Sequence, residues 1–226
     1  FRTLLTNIQY LNVNKGSKVI LITSNSPGEG KTFASINMAA ILAKAGKKTL
    51  LLELYLHKPR VQKALEMEAD RGISTVVIGQ TLIQESIKKT PVENLEVMLS
   101  GPIPPNPSEM ILSDNLKGII EFGKENYDYV IIDTPPAGLI SDAIYLMQYC
   151  DISLFVLNTK FATKRIVSGI NELVEKNNVQ HFAFILNGVR RKKGRYYYNK
   201  YGYGYGYGYG AYGGYGYRSY GYKSKS

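Results

Sequence analysis

The chain has 226 residues, 44% of them hydrophobic, which is enough for one core of about 190 residues, and a formal net charge of +10. Nine Lys or Arg and no acidic residue lie from Arg190 onward, leaving +1 for residues 1–189, so a basic nucleic-acid-binding body is excluded for the globular part. A lone Cys150 excludes a disulfide framework and fits a reducing compartment.

Short apolar runs at 18–23 (KVILIT), 49–53 (TLLLE), 95–99, 129–133 (YVIID), 152–157 and 182–186 are of the kind buried on both faces of a parallel sheet. Amphipathic stretches separate them. The clearest is 164–177, where Ile166, Val167, Ile170, Leu173 and Val174 follow one helical face. Alternating β and α elements predict an open, mostly parallel α/β sheet with helices on both faces and ligands at the carboxyl ends of the strands. The expected organisation is one such domain over 1–189 and a flexible basic tail over 190–226. With no apolar run of 18 residues and no signal peptide, the chain is expected to be soluble.

The first strand runs into Ser24-Asn25-Ser26-Pro27-Gly28-Glu29-Gly30-Lys31-Thr32 and then into the helical pattern FASINMAAILAKAG. Glycines let backbone approach phosphates closely, amide N–H groups and a helix N-terminus supply positive potential, Lys31 reaches the β- and γ-phosphates, and the Thr32 hydroxyl ligates Mg²⁺. Asn25 stands where the usual first glycine would be, but the GEGKT core is intact. The expected nucleotide contacts are Pro27, Gly28, Glu29, Gly30, Lys31, Thr32 and Phe33. The second strand ends in Glu53-Leu54-Tyr55-Leu56-His57-Lys58, a polar cluster. A Pro-rich stretch at 101–107 reads as a rigid loop that sets up the next helix, or as a ligand for a proline-recognising module. The strand YVIID ends in Asp133, a carboxylate placed to hold Mg²⁺ opposite the phosphate loop. Cys150 reads as a small buried hydrophobe, and tyrosines 10, 55, 127, 129, 145 and 149 read as structural.

Thirteen of the 19 tyrosines lie in the tail: Tyr196, Tyr197, Tyr198, Tyr201, Tyr203, Tyr205, Tyr207, Tyr209, Tyr212, Tyr215, Tyr217, Tyr220 and Tyr222. Glycine at nearly every second position denies this segment a core, and its composition predicts disorder when unbound. About 32 such residues have a root-mean-square reach of roughly 30 Å, sufficient to enter a nearby active site. Attachment raises the local tyrosine concentration to about the millimolar range.

These motifs together resemble the bacterial tyrosine kinases of capsular and exopolysaccharide export, in the deviant P-loop group that also holds the partitioning ATPases. The match rests on SNSPGEGKT, LLLELYLHKP, Ser100 to Glu109 (SGPIPPNPSE), VIIDTPP with Ser141-Asp142-Ala143, Leu186-Asn187-Gly188-Val189 and the tyrosine tail. The resemblance implies a cytoplasmic enzyme at the inner face of the membrane that uses ATP and Mg²⁺ to phosphorylate its own tail tyrosines, in trans within a homo-oligomeric ring. It implies a transmembrane polysaccharide co-polymerase segment or protein as activator, an opposing tyrosine phosphatase, and no nucleic-acid partner. Catalytic roles fall to Lys31, Glu53 and Asp133, Mg²⁺ to Thr32 and Asp133, and a nucleotide contact to Asn187.

Two departures accompany the match. Where the family has an Asp-x-Asp pattern, this chain has Glu53 and Tyr55; Glu53 keeps a carboxylate, while Tyr55, with an ordinary pKa of about 10, accepts no proton readily at neutral pH. Where the family has Glu-x-x-Arg-x-x-Arg, Arg2 matches the first arginine and Leu5 stands at the second. His57 reads either as a replacement for a basic side chain or as a surface polar residue. Alternatives are an ATP-binding adaptor with impaired phosphotransfer and a partitioning-type ATPase, against which Ser26 and the tail argue. A Tyr/Gly/Arg tail would also suit stacking on nucleic acid or self-association. Each phosphate adds about −1.5 to −2 charges, so around five or six cancel the tail's +9.

Overall fold

Strands buried along most of their length need cover on both faces, and the chain supplies it with helices in the connections between its parallel strands. The computed structural model describes residues 6, 16–137, 142–179 and 181–189. In chain order the described elements are β1 (Lys18–Ser24), α1 (Lys31–Lys44), β2 (Thr49–Glu53), α2 (Val61–Ala64), α3 (Ile73–Val77), α4 (Ile83–Ser86), β3 (Lys88–Lys89), β4 (Leu95–Met98), α5 (Pro107–Ile111), α6 (Asp114–Asn126), β5 (Tyr129–Asp133), α7 (Asp142–Met147), β6 (Ile152–Asn158), α8 (Lys164–Lys176) and β7 (Phe182–Asn187). The strand order is β3-β4-β2-β5-β1-β6-β7, parallel except for the antiparallel β3–β4 pair at one edge. The six expected strands are all present. The two-residue β3 was not expected, because Lys88-Lys89 carries no apolar signal and its pairing is set by β4.

Alternation along β1 divides the core. Val19 and Leu21 join one cluster with Ile73, Ile119, Leu146, Ile170 and Val174 from α3, α6, α7 and α8. Ile20 and Ile22 join the other with Ala34, Met38 and Leu42 of α1. Each fully buried Leu or Ile contributes about 1.5–3 kcal/mol, so the centre of the sheet is the rigid part of the molecule. Helix α8 presents Ile170 and Val174 to the core, with Ile166, Val167 and Leu173 half-buried beside them, and is capped by Thr163, whose hydroxyl accepts from the Ile166 amide.

The Pro-rich stretch leads into α5 with Pro107 in its first turn, where a missing N–H costs nothing, in agreement with the rigid-loop reading. Cys150 is half-buried, its thiol donating to the Leu146 carbonyl. No helix among the described residues is long and apolar enough to cross a membrane.

Candidate functional site

The carboxyl ends of β1, β2 and β5 lie side by side. Ile22 of β1 and Glu53 of β2 are both register partners of Asp133 on β5. Parallel strands deliver these polar termini to one rim of the sheet, and the loop after β1 crosses that rim before α1 begins.

The loop is built for an anion. Gly28 and Gly30 have φ of 83° and 100°, in the left-handed region that side chains rarely adopt. At Gly30 a Cβ would also lie 2.2 Å from Asn187 Nδ2, which donates to the Glu29 carbonyl at 2.9 Å. Asn187 thus pins the phosphate loop from β7, the strand furthest from β2. Gly30 opens α1 with no side-chain cap, so the Lys31 and Thr32 amides keep their donors for a ligand. Glu29 is buried; one of its oxygens accepts from the Ser26 amide at 2.7 Å, and the other has no hydrogen-bond partner.

Behind the loop, Thr32 Oγ1 donates to Asp133 Oδ2 at 2.8 Å, and Ser35 Oγ lies 3.1 Å from Asp133 Oδ1 and 2.9 Å from the Lys31 carbonyl. Thr32 and Ser35 are three apart on α1 and so share a face. Burial pushes the Asp133 carboxyl up to about 6, against the opposing pull of the Lys31 charge and the two hydroxyls. Burial likewise pulls the Lys31 ammonium below its usual value, with Asp133 working in the other direction. The residues fit Mg²⁺, which is commonly held by one or two carboxylate or hydroxyl oxygens with water and phosphate oxygens filling the rest. Among the described residues no group of three His, Cys, Asp or Glu could hold a metal by itself.

Glu53 is placed differently from the expectation of a metal-organising or proton-accepting carboxylate. It is fully buried, and its oxygens accept from the backbone amides of Arg60 (2.6 Å), Val61 (2.5 Å) and Ser100 (3.2 Å). Burial raises its pKa and these amides oppose the rise. The carboxylate therefore ties the loop 54–60 and the start of α2 to the end of β4.

Tyr55, which the resemblance put at the place of a family carboxylate, lies in the site, with Lys31 Nζ 4.2 Å from its ring centroid. It lines a cleft of about 580 Å³ together with Lys31, Thr32, Phe33, Lys58 and Arg60. Lys58 belongs to the polar cluster after β2, whereas Arg60 and Ser35 were not singled out from the sequence; the i, i+3 spacing of Ser35 from Thr32 is the signal that would have found it. His57 is exposed, as a surface polar residue would be. Asp142 is buried at the start of α7 and accepts from Ser108 Oγ at 3.1 Å. Arg2, Leu5, Ser141, Tyr10 and all thirteen tail tyrosines lie outside the described residues.

Comparison with known proteins agrees with this arrangement. A family profile described as an AAA domain matches residues 17–183. The chain is 34% identical over 193 residues to the tyrosine-protein kinase YwqD of Bacillus subtilis, covering 85% of this chain and 81% of that one. It is 37% identical over 195 residues to the tyrosine-protein kinase CpsD of Streptococcus pneumoniae, covering 83% and 82%. Among solved structures, the kinase domain of the Escherichia coli tyrosine kinase ETK superposes with a TM-score of 0.80 at 29% identity, over 90% of this chain and 79% of that one.

Proposed function

Because the chain belongs to the bacterial tyrosine-protein kinases, we propose that it is an ATP- and Mg²⁺-dependent kinase whose acceptors are its own tyrosines between Tyr196 and Tyr222, phosphorylated in trans within an oligomer. The observation that carries this reading is the junction of Thr32, Ser35 and Asp133 directly behind a loop whose amides are uncapped. Thr32 and Asp133 would hold Mg²⁺, which when bound would supply positive charge to offset that developing on the phosphates during transfer.

The chain's own groups do the rest. Thr32 and Asp133 hold the cation, Lys31 polarises the transferring phosphate, and the amides from Gly28 to Thr32 with the Asn187-pinned loop hold the other phosphates. The tyrosine oxygen forms the new bond to phosphorus as the bond to ADP breaks, and its proton leaves to water. Glu53 acts as a positioning residue that fixes the loop carrying Tyr55 and Arg60. Accumulated phosphate would convert the tail from +9 towards negative, a graded signal to a membrane-bound polysaccharide co-polymerase that a phosphatase resets.

A second reading, an ATP-binding adaptor with weak phosphotransfer, is favoured by one observation: Tyr55, at the place of a family carboxylate, holds Lys31 against its ring. Mixing Lys31→Met chain with wild type separates the two. Trans phosphorylation predicts labelled tail on the Lys31→Met chain, whereas the adaptor reading predicts none on either chain while ATP remains bound.

A further inference from the structure

The cleft beside the phosphate loop has an unusual charge balance. Its lining includes the cations Lys31, Lys58 and Arg60 and no carboxylate. The nearby acids make their hydrogen bonds elsewhere, Asp133 with Thr32 and Ser35, Glu53 with three backbone amides and one oxygen of Glu29 with the Ser26 amide, and Asp133 and Glu53 act on the Lys31 charge only through space. The ion pairs found among the described residues are Lys88–Asp70 and Lys117–Glu121, both away from the site. What stands over the Lys31 ammonium is the neutral face of Tyr55.

A carboxylate at that place would neutralise Lys31 and repel an incoming polyphosphate, and a divalent cation would be needed to offset the repulsion. An aromatic face attracts the ammonium through its quadrupole while leaving the positive charge in place. The ring thus fixes where Lys31 sits without cancelling what it offers to phosphate.

We propose that Tyr55 is a positioning residue that makes binding of a nucleoside di- or triphosphate in this cleft nearly independent of a divalent cation, so that Mg²⁺ is needed for transfer and not for occupancy. This rests on the reading of the site as a nucleotide site. One consequence is that metal-free ADP is a competitor of the Mg²⁺-bound triphosphate, so product would hold the site after the cation has left.

The test is an equilibrium titration of the full chain with a fluorescent ADP derivative, in Mg²⁺ and in EDTA at matched ionic strength, for wild type, Tyr55→Phe and Tyr55→Asp. The ratio of the two dissociation constants is the readout, and loss of fold alone does not move it. For wild type and Tyr55→Phe the expected ratio is below about threefold; for Tyr55→Asp it exceeds about tenfold, since at the reduced effective dielectric of a partly buried site a charge some 4 Å from Lys31 is worth more than that. A wild-type ratio above tenfold, with binding intact in Mg²⁺, overturns the inference and leaves the kinase reading standing. Absence of binding in both buffers overturns the nucleotide reading itself. An unchanged ratio in a folded Tyr55→Asp chain removes Tyr55 from the account, and should that variant not fold, the wild-type ratio decides.

Discussion

Glu53 and Asp133 stand opposite one another in the β2–β5 register, both fully buried, yet one is held by backbone amides and the other by side-chain hydroxyls. Amides are fixed donors and hold a carboxylate in one orientation. Hydroxyls rotate and can turn a lone pair towards a cation. The difference supports a positioning role for Glu53 and the proposed cation-holding role for Asp133, although the sequence presents both as acids ending a strand.

Replacing Glu53 with Ala leaves three amide donors at the rim without their acceptor. Removal of one partner from a buried hydrogen-bonded set costs about 1–3 kcal/mol per orphaned group before relaxation, so a net loss of about 2–4 kcal/mol is expected in urea unfolding. Nucleotide affinity should fall with it, because the loop from Leu54 to Arg60 loses its tether. An unchanged unfolding midpoint would contradict the architectural role.

Asp133 carries a pH dependence of opposite consequence. Its folded pKa, about 6, lies above its ordinary 3.8, so the fold favours the protonated form. The stabilising contribution of that form is full below about pH 4 and is lost as pH rises through about 6. Asp133→Asn removes this loss. The empty variant should be more stable than wild type at pH 7.5 by on the order of 1–3 kcal/mol, with a flatter profile between pH 4 and 6, while phosphotransfer falls by at least about a hundredfold. Thermal melts across pH check the first part and radiolabel transfer the second.

Gly30→Ala imposes two separate costs. The φ of 100° is strained for any residue with a Cβ, by about 1–2 kcal/mol, and the new atom displaces Asn187 from the Glu29 carbonyl. Adding Asn187→Ala relieves the clash and not the strain. The double variant should therefore recover part of the lost nucleotide affinity, as read by calorimetric titration, and full recovery would show that the strain is absent.

The six long strands, the open parallel sheet and the phosphate loop were legible because each rests on local chemistry: runs of β-branched and aliphatic residues, and glycines in fixed relation to Lys31 and Thr32. Asp133 was legible for the same reason. What the sequence hid was side-chain destination. Glu53 and Asp133 look alike as text, and only the chain turning back at Arg60 and Ser100 brings three amides to the first. Tyr55 was legible as the occupant of a family carboxylate position, but its ring contact with Lys31 depends on packing between the end of β2 and α1, which no local pattern encodes. The short β3 was invisible because two lysines at a sheet edge owe their pairing wholly to β4.

Phosphorylation of the tyrosine tail through Lys31 is tested most directly by incubation with Mg²⁺ and ATP followed by mass spectrometric mapping of phosphate, beside a Lys31→Met chain handled identically. Phosphate on several tyrosines from Tyr196 to Tyr222 in the first and none in the second is the predicted result. Bound ATP with no phosphotyrosine, or phosphate released only to water and only when DNA is added, would contradict it.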